Sequence, residues 1–222
     1  MSGDTGNAFI AESLIRRIRV IQGFPERIEF LARHFIGTPY CDSPLNGGPG
    51  IPETLVDRLD CFDCVTFIES VIALVTSEST SAFRLSLSRI RYDGNPPAWE
   101  HRLHYTSHWL KSQERRGLLR TVRPDLKNKT VRKLGIIQGI SAVEETIAFH
   151  RWEVPSDFRC GIIAFGSTRN DLDVFHIGFY FNGLLIHASR SVGSVICEPL
   201  SEFLGRENGT GLLLATFRME RS

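Results

Sequence analysis

An excess of either charge is missing from this sequence: 26 lysines and arginines meet 25 aspartates and glutamates, for a formal net charge of +1. No global positive field exists to attract nucleic acid or an anionic membrane surface, so neither is expected as a partner. The basic run from Arg115 to Arg120 reads as a solvated face. Long apolar runs are missing too. No stretch approaches the ~18 uninterrupted apolar residues of a spanning helix. The first thirty residues carry Asp4, Glu12, Arg16, Arg17 and Arg19 and no unbroken apolar segment ending in small residues, so no export signal is recognised. Internal repeats and low-complexity tracts are absent. Cysteine is sparse and odd in number, five residues in a chain too long to need stapling, and thiols outside any disulfide are expected.

What is present is an ordinary globular composition. With 42% hydrophobic and 23% charged residues over 222 positions, one domain spanning 1–222 is expected. Its helical part should run over about 8–156 with insertions, and its β part over about 157–219. Ile10, Leu14, Ile18 and Ile21 share a helix face, and Pro25 sits where a second helix should begin and run to about Phe35. Gly37, Pro39, Gly47, Gly48 and Gly50 mark a long irregular loop ending near Pro52. Asp60 or Asp63 can cap the next helix, with Val65, Ile68, Ile72 and Val75 as its buried stripe. A further helix is expected from Trp99 to about Glu114. The stretch from Thr121 to Ser156 has no clear period.

After Pro155 come β-branched and aromatic runs: 161–165, 174–181, 184–189, 195–200 and 212–218. Helices first and strands afterwards make an α+β fold with an antiparallel sheet. Asn182 and Gly183 both tolerate positive φ, so they predict a two-residue hairpin turn between Phe181 and Leu184. In that register Gly178 faces His187, and His176 and His187 share a sheet face as diagonal neighbours.

Taken alone, Cys64 reads as a buried inert thiol. Its place at a helix start makes it a candidate nucleophile, because the positive end of the helix macrodipole favours an anion there. A sheet presenting His176 toward that end would supply a general base, and His187 could orient its imidazole. Cys61 and Cys64 form a C-x-x-C pair, but no second pair exists to complete a zinc site, and no strand precedes it as a redox motif requires. His104 and His108 stand one helical turn apart without the H-E-x-x-H pattern, and they read as cleft or surface histidines. No metal and no organic cofactor is expected.

The segments GTPY at 37–40, FDCVTFIES at 62–70, FHIGFYF at 175–181 and LIHAS at 185–189 resemble the NlpC-type papain-like amidases and peptidases of bacterial cell walls. IRYDG at 90–94 and HRLHYTSHW at 101–109 look more closely like a subgroup described as N-acetylmuramoyl-L-alanine amidase-like. The resemblance implies a papain-like core with N-terminal helices and the nucleophile at a helix N-terminus packed on the antiparallel sheet. It implies Cys64 as nucleophile, His176 as general base and His187 as the residue that orients it. It further implies that Tyr40, Asp63, Arg102, His104, Tyr105 and Ser189 support the site or bind substrate. The implied activity is hydrolysis of an amide bond in peptidoglycan fragments, through a thioester and an oxyanion held by helix-terminal amides. A muropeptide or other small molecule is the implied substrate.

Two departures stand out. Cys160 and Gly161 replace the Gly-Asp with which the strand before the base usually opens. Without an export signal, either that segment has been removed or the substrate is met inside the cell. An acyltransferase or amide-forming enzyme with the same three residues is the alternative, and a non-catalytic binding module is a third reading.

Overall fold

The computed structural model describes residues 2–93, 96–125, 129–138 and 141–218. Two compact units divide them: one runs through Arg102 and takes in Ile186–Cys197, the other comprises Leu103–Leu185 and Glu198–Arg218. The helices are α1 (Ser2–Ile18), α2 (Phe24–His34), α3 (Cys64–Val75), α4 (Thr80–Arg91), α5 (Thr106–Arg115) and α6 (Leu200–Arg206). The strands are β1 (Leu119–Val122), β2 (Lys129–Gln138), β3 (Ser141–His150), β4 (Cys160–Gly166), β5 (Val174–Phe181), β6 (Leu184–Ser189), β7 (Ser194–Pro199) and β8 (Leu212–Phe217). The fold is a mixture of helices and antiparallel strands, as expected.

In the first unit α3 is the central element, packed by α1, α2 and α4. All its residues from Thr66 to Val75 are buried. The expected single stripe therefore understates it: a helix surrounded on every side has no polar face, and Val65, at its open end, is only half-buried. Burial includes charge. Arg91 of α4 places Nε 2.7 Å from Glu69 Oε2 on α3, with both side chains almost wholly enclosed. Arg91 also donates to the Val56 carbonyl at 2.6 Å, which ties the irregular loop to the helices. Burial pushes the Glu69 carboxyl up, against the pull of Arg91.

The same loop is held a second time. Tyr92 donates its hydroxyl to Glu53 Oε1 at 2.5 Å and Arg102 donates Nε to the same oxygen at 3.0 Å. Arg102 also donates to the Asn46 carbonyl. The IRYDG motif thus supplies two buried anchors, Arg91 and Tyr92; its Gly94 lies outside the described residues.

Three sequence expectations need correction. The helix from Trp99 is broken: a 3-10 turn covers Trp99–His101, and α5 begins only at Thr106. Residues 101–102 are drawn out by a bridge between Tyr92 and Arg102 and by the Asp93 amide donating to the His101 carbonyl at 2.7 Å. His104 therefore stands outside α5, and the one-turn pairing of His104 with His108 does not exist. The helical part ends near Arg115 rather than 156, because β1, β2 and β3 occupy the stretch without a clear period. Cysteine is the third correction. Cys41 and Cys61 form a disulfide with a Cα separation of 5.6 Å, while Cys64, Cys160 and Cys197 lie outside it. Cys61 is thereby removed from any C-x-x-C pair with Cys64.

In the second unit the strand order is β2-β3-β8-β4-β5, with β1 also on β8, and these strands pair antiparallel. Phe158, Ile163, Phe165, Tyr180, Leu200, Phe203, Leu212 and Leu214 form its core. Gly161 sits at φ +153°, and a Cβ there would strike the Ala215 carbonyl on β8, so β4 can approach β8 only with glycine at that position. The Asn182–Gly183 turn is as expected, both residues having positive φ, 47° and 93°.

Candidate active site

The site begins with a helix cap. Asp63 accepts through Oδ1 from the Val65 amide at 3.1 Å and the Thr66 amide at 2.7 Å. Thr66 Oγ1 in turn accepts from the Asp63 amide at 3.0 Å, completing a capping box. Asp63, not Asp60, is thus the cap, and Asp60 instead pairs with Arg58 at 2.8 Å. Cys64 becomes the first helical residue of α3, half-buried, where the helix dipole favours negative charge. The Asp63 carboxylate is engaged by the helix, which makes it a positioning residue. Asp63→Ala is expected to lower stability by about 1–2 kcal/mol, while Asp63→Asn retains most of it. Urea denaturation measures the difference; equal midpoints for Asp63→Ala and the parent would refute the cap's importance.

Tyr40 is brought to the same place by the backbone. Its amide donates to the Gly193 carbonyl at 2.8 Å, the Cys41 amide to the Phe62 carbonyl at 2.8 Å, and the Phe62 amide to the Pro39 carbonyl at 3.0 Å. Segment 39–41 is therefore laced on one side to the turn after β6 and on the other to the residues leading into Cys64, with the Cys41–Cys61 disulfide alongside. Burial first, then the negative charges of Cys64, Asp63 and Asp42, push the Tyr40 phenol up to about 12, with Arg190 opposing them. The phenol stays protonated at any working pH and remains a hydroxyl donor beside Cys64.

The other expected residues are distributed as follows. His187 on β6 is buried and belongs to the same unit as Cys64, as does Ser189. Ser189 Oγ lies 3.2 Å from Ser191 Oγ and accepts from the Val192 amide at 3.3 Å, shaping the turn after β6. Arg102 is engaged by the Glu53 carboxylate and the Asn46 carbonyl. His104, Tyr105 and His176 belong to the second unit. His104 is exposed, and the Tyr105 ring meets His108 edge-on at 6.0 Å. His176 on β5 lies opposite Phe165 of β4, its ring stacked on Phe203 at 5.4 Å and Phe165 at 6.0 Å.

Sequence reasoning missed Asp173. Buried three residues before His176, it accepts from the Ser107 amide at 2.6 Å and from the Val174 amide at 2.8 Å, so it caps α5 from a distance and fixes the entry to β5. Its only signal was an aspartate just ahead of a strand. Among the described residues no group of three or more His, Cys, Asp or Glu is placed to hold a metal ion. No helix among them is long and apolar enough to cross a membrane.

Residues 30–211 match the AmiA-like family, described as N-acetylmuramoyl-L-alanine amidase-like. The chain belongs to this family. Tyr40, Cys64, His176 and Ser189 all lie within the range that matches the AmiA-like pattern. The chain is similar to an N-acetylmuramoyl-L-alanine amidase from Bacteroides uniformis ATCC 8492, with 26% identity over 89% of this chain and 99% of that one and a TM-score of 0.76. A Legionella pneumophila protein matches with a TM-score of 0.81 over 98% of this chain and 96% of that one, at 17% identity, a likeness of fold alone. A putative xylanase from Bacteroides fragilis matches with a TM-score of 0.67 and 24% identity, over 84% of this chain and 99% of that one, again in fold alone. No curated protein matches the sequence.

Proposed function

We propose that this AmiA-like chain is a cysteine amidase with a papain-like, NlpC-type core that hydrolyses the amide between N-acetylmuramic acid and L-alanine in peptidoglycan fragments. The observation that carries the reading is Cys64 at the first position of a capped, buried helix, with a hydroxyl donor beside it, in a chain of this family. The Cys64 thiolate attacks the lactyl carbonyl, and negative charge moves to the carbonyl oxygen at the helix N-terminus. In this reading the Tyr40 hydroxyl donates to that oxyanion. Collapse of the tetrahedral intermediate breaks the C–N bond, with protonated His176 delivering the proton to the leaving L-alanine amine. His176 then takes a proton from water, hydroxide attacks the thioester, and the muramic carboxylate leaves as Cys64 is restored.

Stacking between Phe203 and Phe165 supports one ring orientation for His176. In this proposal His187 has the role of holding the His176 tautomer. The Cys41–Cys61 disulfide supports action in an oxidising compartment, where such bonds persist.

Defined muropeptides incubated with the protein and analysed by mass spectrometry test the reading. Intact stem peptides with a free L-alanine amine are expected, together with the unsubstituted muramic acid. Muropeptides returned unchanged, or cut only between amino acids of the stem, would overturn it.

A further inference from the structure

The unit that holds Cys64 carries a cationic side chain that neither the helix cap nor the hydrolytic steps use. Arg190 projects from the turn after β6, with its side chain 76% exposed, and its Nε lies 3.0 Å from Asp42 Oδ1, itself 66% exposed. The base beneath it is firm. Ser189 accepts from the Val192 amide, the Gly193 amide donates to the Ser189 carbonyl at 2.9 Å, and Gly193 in turn receives the Tyr40 amide at 2.8 Å. Arg190 is thus fixed three residues from the point where its turn joins the Tyr40 segment, and Asp42 lies two residues beyond Tyr40 on the other strand of the same contact. The Tyr40 segment is itself joined to the residues leading into Cys64, the Cys41 amide donating to the Phe62 carbonyl at 2.8 Å and the Phe62 amide to the Pro39 carbonyl at 3.0 Å, so backbone contacts link the turn that carries Arg190 to the start of α3.

An ion pair this open to water is weakly held. A guanidinium presents a planar fork of donors that suits a carboxylate bidentately, and exchange of Asp42 for a carboxylate on an incoming ligand leaves Asp42 solvated at little loss. An amide-linked N-acetylmuramic acid carries no carboxylate of its own, whereas the peptide attached to it does. We infer that Arg190 is a specificity residue that binds a carboxylate of the peptide part of the substrate, with Asp42 as the partner it releases. The inference rests on the proposed amidase reading for the identity of that peptide, but not for the attraction of a carboxylate toward Cys64.

Two arms of one experiment separate these. In the first, the intact protein is alkylated with iodoacetate and, separately, with iodoacetamide, and the rate at Cys64 is followed by peptide mass spectrometry. The reagents are similar in size and differ in charge, and any effect of Arg190 on the thiol itself cancels in their ratio. Arg190→Gln is expected to lower the iodoacetate-to-iodoacetamide ratio about threefold, the scale of one charge partly screened by solvent. Arg190→Lys should keep most of the ratio, and Asp42→Asn should raise it. A ratio unchanged in Arg190→Gln overturns the inference.

In the second arm, an N-acetylmuramoyl dipeptide with its carboxylates intact is compared with the same compound converted to carboxamides. The parent should favour the carboxylate form through KM, and Arg190→Gln should abolish that preference while kcat changes little. A preference that survives in Arg190→Gln overturns the inference. If neither compound is cleaved while the alkylation ratio falls, the carboxylate site stands and the amidase reading alone fails.

Discussion

Cys64→Ala is expected to abolish muropeptide hydrolysis, by about four orders of magnitude or more in kcat/KM, because a covalent mechanism has no second route once its nucleophile is gone. The substitution removes one sulfur from the half-buried first position of α3 and leaves the Asp63–Thr66 capping box intact, so the helix should be unaffected. Circular dichroism and a denaturation midpoint within experimental error of the parent separate lost chemistry from lost fold. Cys64→Ser keeps the geometry but offers a hydroxyl in place of a far more acidic thiol, and it should be nearly as inactive. Cys160→Ser and Cys197→Ser test the remaining thiols outside the disulfide, and neither should abolish turnover if Cys64 is the nucleophile. Undiminished hydrolysis by Cys64→Ala would sink the cysteine mechanism.

The largest expected effect on stability comes from Arg91→Met. Glu69 and Arg91 are both about 2% exposed, and removal of the guanidinium leaves a carboxylate enclosed between α3 and α4 with its counter-charge gone. Breaking one half of a buried pair costs about 3–5 kcal/mol, against a whole-domain stability of about 5–15 kcal/mol. The Val56 carbonyl loses its donor at the same time, so loosening of the 42–60 loop adds to the loss. The double variant Glu69→Leu, Arg91→Met should recover most of the deficit, since a buried pair replaced by apolar side chains of similar volume is often neutral or better. Guanidinium denaturation of the four-member cycle gives the coupling. A single Arg91→Met variant that loses less than about 1 kcal/mol would show that the pair is solvated in solution, contrary to its burial.

The sequence made local chemistry legible where local chemistry decides the structure. The Asn182–Gly183 turn needs two residues at positive φ, and both are of the types that accept it. An aspartate before an apolar run marked the start of α3 within a choice of two candidates. The ribbon of β2 and β3 escaped notice for a physical reason. β2 pairs with β3 along ten residues, and none of the β2 side chains from Lys129 to Lys133 is fully buried, so no core imposes alternation there. Val131, for example, is exposed. The break before α5 is likewise set from a distance, by the bridge from Tyr92 to Arg102. Arg91 and Glu69 were invisible as core residues because charge is ordinarily read as surface, and only tertiary pairing makes them interior. The Cys41–Cys61 connection spans 20 residues, a pairing that cysteine spacing alone does not determine.

That disulfide divides its influence unequally between the folded and unfolded chain. Closing a loop of this length disfavours the unfolded ensemble by about 3 kcal/mol on the chain-entropy account. In the folded state the same loop is already fastened at Glu53 by Tyr92 and Arg102 and at Val56 by Arg91, while segment 39–41 is laced to Phe62 through the backbone. A reductant therefore acts chiefly on the survival of the protein rather than on its turnover. Molecules that remain folded keep Tyr40 beside Cys64, and the loss appears as a shorter working life under heat or protease.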